Sequence, residues 1–188
     1  MAKLSVFNSI SMDGYFTGAD GDLSWAHSVP QDAEWNAFVS GNAGGDGPLL
    51  FGRITYDMMA AFWPTPAAAQ QMPEVAAGMN RLPKFVCSRS MKKSSWQNTT
   101  VLSGDLVAEV QKLKGQPGGD ITVLGSGTIV AQLTQAGLVD AYQLVVVPVV
   151  LGAGRTMFEG VTVRPSLKPT KTRTFGNGNV VWWYDAQK

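Results

Sequence analysis

The chain has 188 residues, 45% hydrophobic and 15% charged, enough to bury one sizeable core, and a single domain over residues 1–188 is the expected organisation. Fifteen Lys and Arg against fourteen Asp and Glu leave a net charge of +1, so no overall field steers the protein onto nucleic acid or an anionic membrane. Cys87 is the only cysteine and His27 the only histidine, which excludes an internal disulfide and a zinc site of the usual Cys and His sets.

From the N-terminus, "MAKLSVFNSI" is too short and too interrupted in its apolar run for a signal peptide, and no segment has the length of a membrane span. A reducing, cytoplasmic setting is expected. "KLSVFNSIS" predicts a first strand that runs into "MDGYFTGADGD", a loop marked by Asp-Gly and Gly-Ala-Asp-Gly turn signals. Asp20 and Asp22 in that loop lack the remainder of a calcium motif and read as turn residues. "VPQDAEWNAFVSG" spaces Val29, Ala33, Trp35, Phe38 and Val39 as a helix does, and "GPLLFG" predicts a short buried strand. "WPTPAAAQQMP" is the most loop-like stretch of the chain, though too short to separate domains.

The pattern of apolar run and helix then recurs. "KFVCS" and "TTVL" predict strands, the latter leading into the helix "GDLVAEVQKLKG", and "DITVLG" leads into "SGTIVAQLTQAG". Such alternation predicts a largely parallel sheet with helices on both faces. "LVDAYQLVVVPVVLG" is a long β-forming run, "VVLGAGRTMFEG" reads as a turn or bulge leaving the sheet, and "TKTRTFGNGNVVWWYDA" predicts a closing antiparallel hairpin around Asn177-Gly178. The fold class is therefore α/β, with a mixed, mostly parallel sheet ending in an antiparallel hairpin.

In open α/β sheets ligands bind beyond the carboxyl ends of the strands, and three such ends carry suitable residues. At "FGRIT", Gly52 lets backbone approach a ligand while Arg53, Thr55 and the N–H groups of the next helix supply donors suited to a phosphate. At "VLGSGTIV", Gly125 and Gly127 permit close approach of a pyrophosphate or a nicotinamide ring, although Val130 replaces the third glycine of a dinucleotide fingerprint. At "KFVCSRS", Ser88 and Arg89 form a pair able to hold a ribose 2′-phosphate. Walker A, G-x-S-x-G and H-E-x-x-H patterns are absent, which argues against phosphoryl transfer, serine hydrolysis and zinc proteolysis.

Taken together, "SMDGYFTGADGDLSW", "FGRITYDMM" and "VLGSGTIVAQLTQAGLVDAYQLVVVPVVLGAGRTMF" resemble the dihydrofolate-reductase-like superfamily. They resemble most closely the branch related to the C-terminal reductase domain of the bifunctional riboflavin biosynthesis protein. The resemblance covers nearly the whole chain and implies a three-layer α/β/α fold on an eight- or nine-stranded sheet, with NADPH lying across the strand ends. It implies that Gly52, Arg53 and Thr55 receive cofactor phosphates, that Ser88 and Arg89 lie near the adenosine 2′-phosphate, and that Gly125, Ser126, Gly127 and Thr128 form the glycine turn beside the nicotinamide and pyrophosphate. Trp25 matches a tryptophan that riboflavin-type reductases place near the cofactor. Two departures stand out: Leu124 occupies the place of a substrate-contacting glutamate, and Met58 and Met59 occupy that of an Asp-Pro pair. The zinc deaminase half is missing.

The reaction implied is hydride transfer from NADPH to a small heterocycle or C=N bond, as in 5-amino-6-(5-phosphoribosylamino)uracil reduction or, alternatively, dihydrofolate reduction. Asp32, at a place comparable to the pterin-binding carboxylate of dihydrofolate reductases, and Asp13 are the candidate proton donors or relays. Phe16, Met58 and Trp63, with Trp25, are candidate walls for a flat ring. A cofactor-binding protein without turnover and a structural homodimer joined through "YQLVVVPVV" and "VVWWYD" are the readings from other classes.

Overall fold

The computed structural model describes residues 1–187. Its strands are β1 Leu4–Ser11, β2 Tyr15–Gly18, β3 Leu49–Gly52, β4 Lys84–Cys87, β5 Thr99–Leu102, β6 Ile121–Val123, β7 Ala141–Val147, β8 Gly154–Thr156, β9 Leu167–Thr174 and β10 Val180–Ala186. Its helices are α1 Ala33–Ala43, α2 Arg53–Phe62, α3 Pro66–Gln71, α4 Pro73–Arg81, α5 Leu106–Gly115 and α6 Gly127–Gln135, with a 3-10 turn at Ser24–His27.

Eight strands form one sheet in the order β5-β4-β3-β6-β1-β7-β10-β9. All pairings from β5 to β7 are parallel, and β10 alone runs antiparallel to both of its neighbours. Crossovers through helices account for most of the parallel part, because a parallel return needs an intervening segment; only β4 and β5 are joined by a connection without a helix. The hairpin over Asn177-Gly178, where Gly178 has φ +89°, supplies the antiparallel end.

Alternation along the strands divides the core between the two faces. Leu4 and Val6 of β1, Ile121 and Val123 of β6 and Leu144 of β7 pack with Val110, Leu113, Val130 and Leu133 of α5 and α6. The opposite face is split. One cluster joins Phe51 and Val86 to Tyr56, Val75, Met79 and Trp96, and the other joins Val145, Val147 and Val181 to Trp25, Phe175, Trp35 and Phe38. Between them the central strands turn Ser5, Phe7 and Ser9, Thr122 and Gln143 toward space that no helix fills. That interruption of the helical layer creates the site.

Four segments depart from the expectations above. The stretch "WPTPAAAQQMP" is mostly helical: Thr65 caps α3 by accepting from the Ala68 N–H, and Pro66 and Pro73 occupy the first turns of α3 and α4. Proline there starts a helix rather than breaking it, since its missing N–H would have had no partner. The "MDGYFTGADGD" loop and the "GAGRT" turn each contribute a short strand, and β2 and β8 pair antiparallel. The long run beginning at Leu138 ends as a strand at Val147, immediately before Pro148. β7 lies between β1 and β10 with most of its side chains in the two cores, so of "YQLVVVPVV" only the end beyond Val147, where Pro148 and Val150 are exposed, faces outward. No helix among the described residues is long and apolar enough to cross a membrane.

Candidate functional site

β3 and β6 are parallel neighbours, so the helices that follow them begin side by side. The Gly52 N–H donates to the Gly125 carbonyl at 2.8 Å. A Cβ added to Gly52 would stand 2.5 Å from Ser126 Oγ and 3.2 Å from the Ser126 backbone nitrogen, so any side chain there must displace the serine hydroxyl and crowd its backbone. Gly125 takes φ +110°, and the Gly125–Ser126 peptide is cis.

The helix starts differ in capping. Asp32, Thr65 and Asp105 cap α1, α3 and α5 with side-chain oxygens, whereas α2 and α6 have no side-chain cap. α4 opens with Pro73. α2, α4 and α6 thus start without a side-chain acceptor, and two of these three, α2 and α6, meet at Gly52 and Ser126. Such termini favour an anion. Arg53 stands exposed on the first turn of α2, paired with Asp57 at 3.0 Å, and Thr128 is exposed on the first turn of α6.

Next to this junction, Ser88 and Arg89 border a cavity of about 270 Å³ together with Leu106, Glu109, Ile129 and Gln132. Ser88 accepts from the Met91 N–H at 3.0 Å. Arg89 is exposed. Cys87 also lines this cavity, and burial, with a smaller contribution from the Glu109 charge, pushes its thiol up to about 12.

On the other side of the junction lies the main cavity, about 810 Å³. Phe16, Trp25, Thr55, Met58 and Trp63, all named above from the sequence, line it, as does Leu124. Thr55 and Phe16 also reach the glycine turn: a Cβ on Gly125 would lie 3.1 Å from Thr55 Oγ1 and 3.3 Å from Phe16 Cζ. Trp25 is buried and donates its indole N–H to the Asp22 carbonyl at 3.1 Å, while Trp63 directs its indole N–H at Met59 Sδ, 3.0 Å away.

The two candidate proton donors are placed elsewhere. Asp32 caps α1, accepting from the Trp35 N–H at 2.6 Å, and lies against Gly176 rather than in the cavity. Asp13 accepts from Ser11 Oγ at 2.6 Å, from the Leu151 N–H at 3.1 Å and from the Gly152 N–H at 2.8 Å, which ties the β1–β2 turn to the loop after β7. The Ser11 hydroxyl above all, opposed by partial desolvation and aided by the two amides, holds its carboxyl below the usual carboxylate range. An aspartate kept ionised in a turn outside the cavity is badly placed to give a proton to a ligand within it. Neither aspartate lines the main cavity.

Sequence reasoning passed over Asn8 and Gln143. Both line the main cavity, and the amide nitrogen of each is buried without a hydrogen-bond partner among the described residues. The available signal was a polar residue inside an otherwise apolar buried strand, Asn8 in "SVFNSI" and Gln143 in "AYQLVV". Among the described residues no cluster of His, Cys, Asp and Glu could hold a metal ion.

A mostly parallel sheet with a split helical layer, two adjoining uncapped helix starts and a lined cleft defines the dihydrofolate-reductase-like class of α/β proteins. Within it, the RibD C-terminal domain family model matches residues 2–181, and the chain belongs to that family. An uncharacterized protein, YyaP, of Bacillus subtilis (strain 168) is 30% identical over 172 residues, which span 92% of this chain and 88% of YyaP. A proposed riboflavin biosynthesis protein from Shewanella sp. PV-4 shares the fold with TM-score 0.77 at 23% identity, covering 100% of both chains. Dihydrofolate reductase from Enterococcus faecalis, solved in complex with NADP(H), shares it with TM-score 0.62 at 15% identity over 99% of this chain and 97% of that one.

Proposed function

We propose that this protein is an NADPH-dependent reductase that delivers hydride to a small heterocyclic or imine-type substrate. The observation that carries this reading is the meeting of two uncapped helix starts at Gly52 and Ser126, set between the Ser88–Arg89 cavity and the larger apolar cleft. Membership of a reductase domain family supports it.

The residues present suit the cofactor. Backbone N–H groups at the starts of α2 and α6, with Arg53, Thr55 and Thr128, would hold the pyrophosphate, and Ser88 and Arg89 the 2′-phosphate. Gln132 and Ile129 would border the adenosine. The glycine turn, with Phe16, Trp25 and Thr55, would position the nicotinamide at the mouth of the cleft. When bound, the cofactor supplies the hydride, and the chain binds, orients and excludes water. Met58, Met59 and Trp63 provide the wall that keeps a flat ring beside it.

Between the two named reactions, Leu124 favours neither. It lines the cleft where riboflavin-type reductases have their glutamate, and Asp32, which dihydrofolate reduction would need, is engaged in capping α1.

Titration with NADPH and NADH, followed by nicotinamide fluorescence, tests the reading. Arg53→Ala should weaken both nucleotides, whereas Arg89→Ala should remove the preference for NADPH, each by roughly ten- to a hundredfold for a lost charge-assisted contact. Failure of the wild-type protein to bind either nucleotide overturns the assignment.

For the homodimer, the surface that supports association is the β10 face where Trp182, 36% exposed, lies beside Tyr184. Light scattering should give a dimer mass that Trp182→Lys reduces to that of one chain. A monomeric wild type ends that reading.

A further inference from the structure

We infer that the substrate of the main cavity is an uncharged flat heterocycle carrying neither a phosphate nor a carboxylate tail. This rests on the reductase reading above and narrows it to a substrate class. The basis is the charge of the lining. Among the described residues no Lys or Arg lines the 810 Å³ cavity, whereas Asp22, Asp120 and His27 do, Asp120 with its carboxylate accepting from the Lys3 N–H at 2.8 Å.

The cations nearby are committed. Arg81 reaches the rim at Gly45, where it donates to the Gly45 carbonyl at 2.7 Å and to Asp46 at 2.9 Å. Arg53 precedes Thr55 but pairs with Asp57 and belongs to the anion site outside the cleft. His27 lines the cavity from the 3-10 turn and is exposed, as Asp22 is. An anion placed on that floor would lose its water without gaining a lysine or arginine counter-charge. That cost is large for a phosphate dianion and appreciable for a carboxylate.

Asp22 itself stays ionised: it accepts from the Ser24 N–H at 2.9 Å and the Ser24 hydroxyl at 2.8 Å, and these bonds hold it below the usual carboxylate range.

The floor also states what it accepts. Ser5, Ser9 and Thr122 are neutral hydroxyls, and the buried amide nitrogens of Asn8 and Gln143 have no acceptor among the described residues. A buried donor left bare is unfavourable, and a ring carbonyl or ring nitrogen on a bound molecule would relieve it. Around these polar points the walls are Trp25, Trp63, Met58 and Met79, surfaces for the faces of an aromatic ring. A phosphoribosyl group and a glutamate tail are both poorly matched to this lining.

Matched probes test the inference: riboflavin against riboflavin 5′-phosphate, and 6-methylpterin against folate. Binding is read from quenching of tryptophan fluorescence, with Trp25→Phe and Trp63→Phe variants locating the signal, in the presence and absence of NADPH. The neutral member of each pair should bind at least tenfold tighter. Thr122→Arg, which places a cation on the floor, should narrow or reverse the ratio for riboflavin and its phosphate. Equal or tighter binding of the charged members, or no binding of either neutral probe, overturns the inference. Neutral probes that bind to a protein showing no affinity for NADPH would leave this inference standing and overturn the reductase reading instead.

Discussion

Gly52 and Ser126 face one another across the ends of two parallel strands, so closely that a single methyl group on Gly52 would lie 2.5 Å from the serine hydroxyl oxygen. Gly52 has φ −78°, so its backbone conformation suits any residue and the requirement for glycine is one of space. Gly52→Ala is therefore expected to cost about 1–3 kcal/mol, the range for overpacking a filled site. NADPH affinity should fall with it, because the strand ends are pushed apart where the two helix starts converge. Adding Ser126→Ala removes the nearer of the two clashing atoms and should restore part of the stability. Denaturant unfolding of both single variants and the double variant measures the coupling, and strictly additive losses would show that the two residues do not oppose each other.

Much of this arrangement is legible in the sequence, because strand ends followed by Gly-Arg-x-Thr, Ser-Arg and Gly-Ser-Gly-Thr announce themselves locally. The aromatic and methionine walls were legible for a related reason: Phe16, Trp25, Met58 and Trp63 sit on the loop and helix next to those strand ends. The capping and loop-tying aspartates were not. Asp32 and Asp13 look the same in sequence whether they face a ligand or satisfy backbone N–H groups, and only the positions of Trp35, Leu151 and Gly152 decide between the two. Asn8 and Gln143 were missed because their importance depends on a gap between α1 and α2 that no local pattern encodes. Pro66 and Pro73 misled in the opposite sense, since proline marks both loops and helix starts.

The role of Asp32 can be separated from a chemical one by choice of substitution. Asparagine caps a helix as well as aspartate does, while alanine does not, so Asp32→Asn should keep the stability of the protein and Asp32→Ala should lose about 1 kcal/mol. Any reductase turnover should survive Asp32→Asn, because the carboxylate is committed to the Trp35 N–H. A loss of turnover of a hundredfold or more in Asp32→Asn, with stability unchanged, would return this residue to the chemistry.

Cys87 lies in the wall of the cavity beside Arg89, yet it should be unreactive. Burial, reinforced by Glu109, moves its thiol from 9.0 to about 12, which lowers the thiolate population near neutral pH about a thousandfold. Iodoacetamide at pH 8 is expected to label the native protein at least a hundredfold more slowly than the protein in denaturant, with mass spectrometry following the modified fraction. Glu109→Gln should raise the native rate modestly, as the smaller of the two causes. Labelling within tenfold of the denatured rate would mean that Cys87 is neither shielded nor held as the thiol.

Lys84 is the most deeply buried cation among the described residues, 1% exposed, and its ammonium donates to the carbonyls of Met79 at 2.8 Å, Asn80 at 3.2 Å and Leu82 at 2.7 Å. It thereby satisfies the C-terminal end of α4 and lies 4.5 Å from the centre of the Trp96 ring. Burial nevertheless pulls its pKa down from 10.5 to about 8. The sign of the consequence follows from proton counts. Between about pH 8 and 10.5 the unfolded chain holds a proton on this lysine that the folded chain has released, so folding stability rises with pH across that window. Below pH 8 both states are charged, and the full cost of burying the charge is present. The rise amounts to at most about 3 kcal/mol, at 1.36 kcal/mol per pKa unit. Lys84→Met removes both the titration and three charge-assisted hydrogen bonds, so its absolute stability reflects two opposing effects. The difference between wild type and variant isolates the lysine: urea unfolding at half-unit intervals from pH 7 to 10.5 should show wild type gaining on Lys84→Met as pH rises. A difference that stays flat across the window would mean that the three carbonyls compensate the charge fully and that its pKa is not lowered.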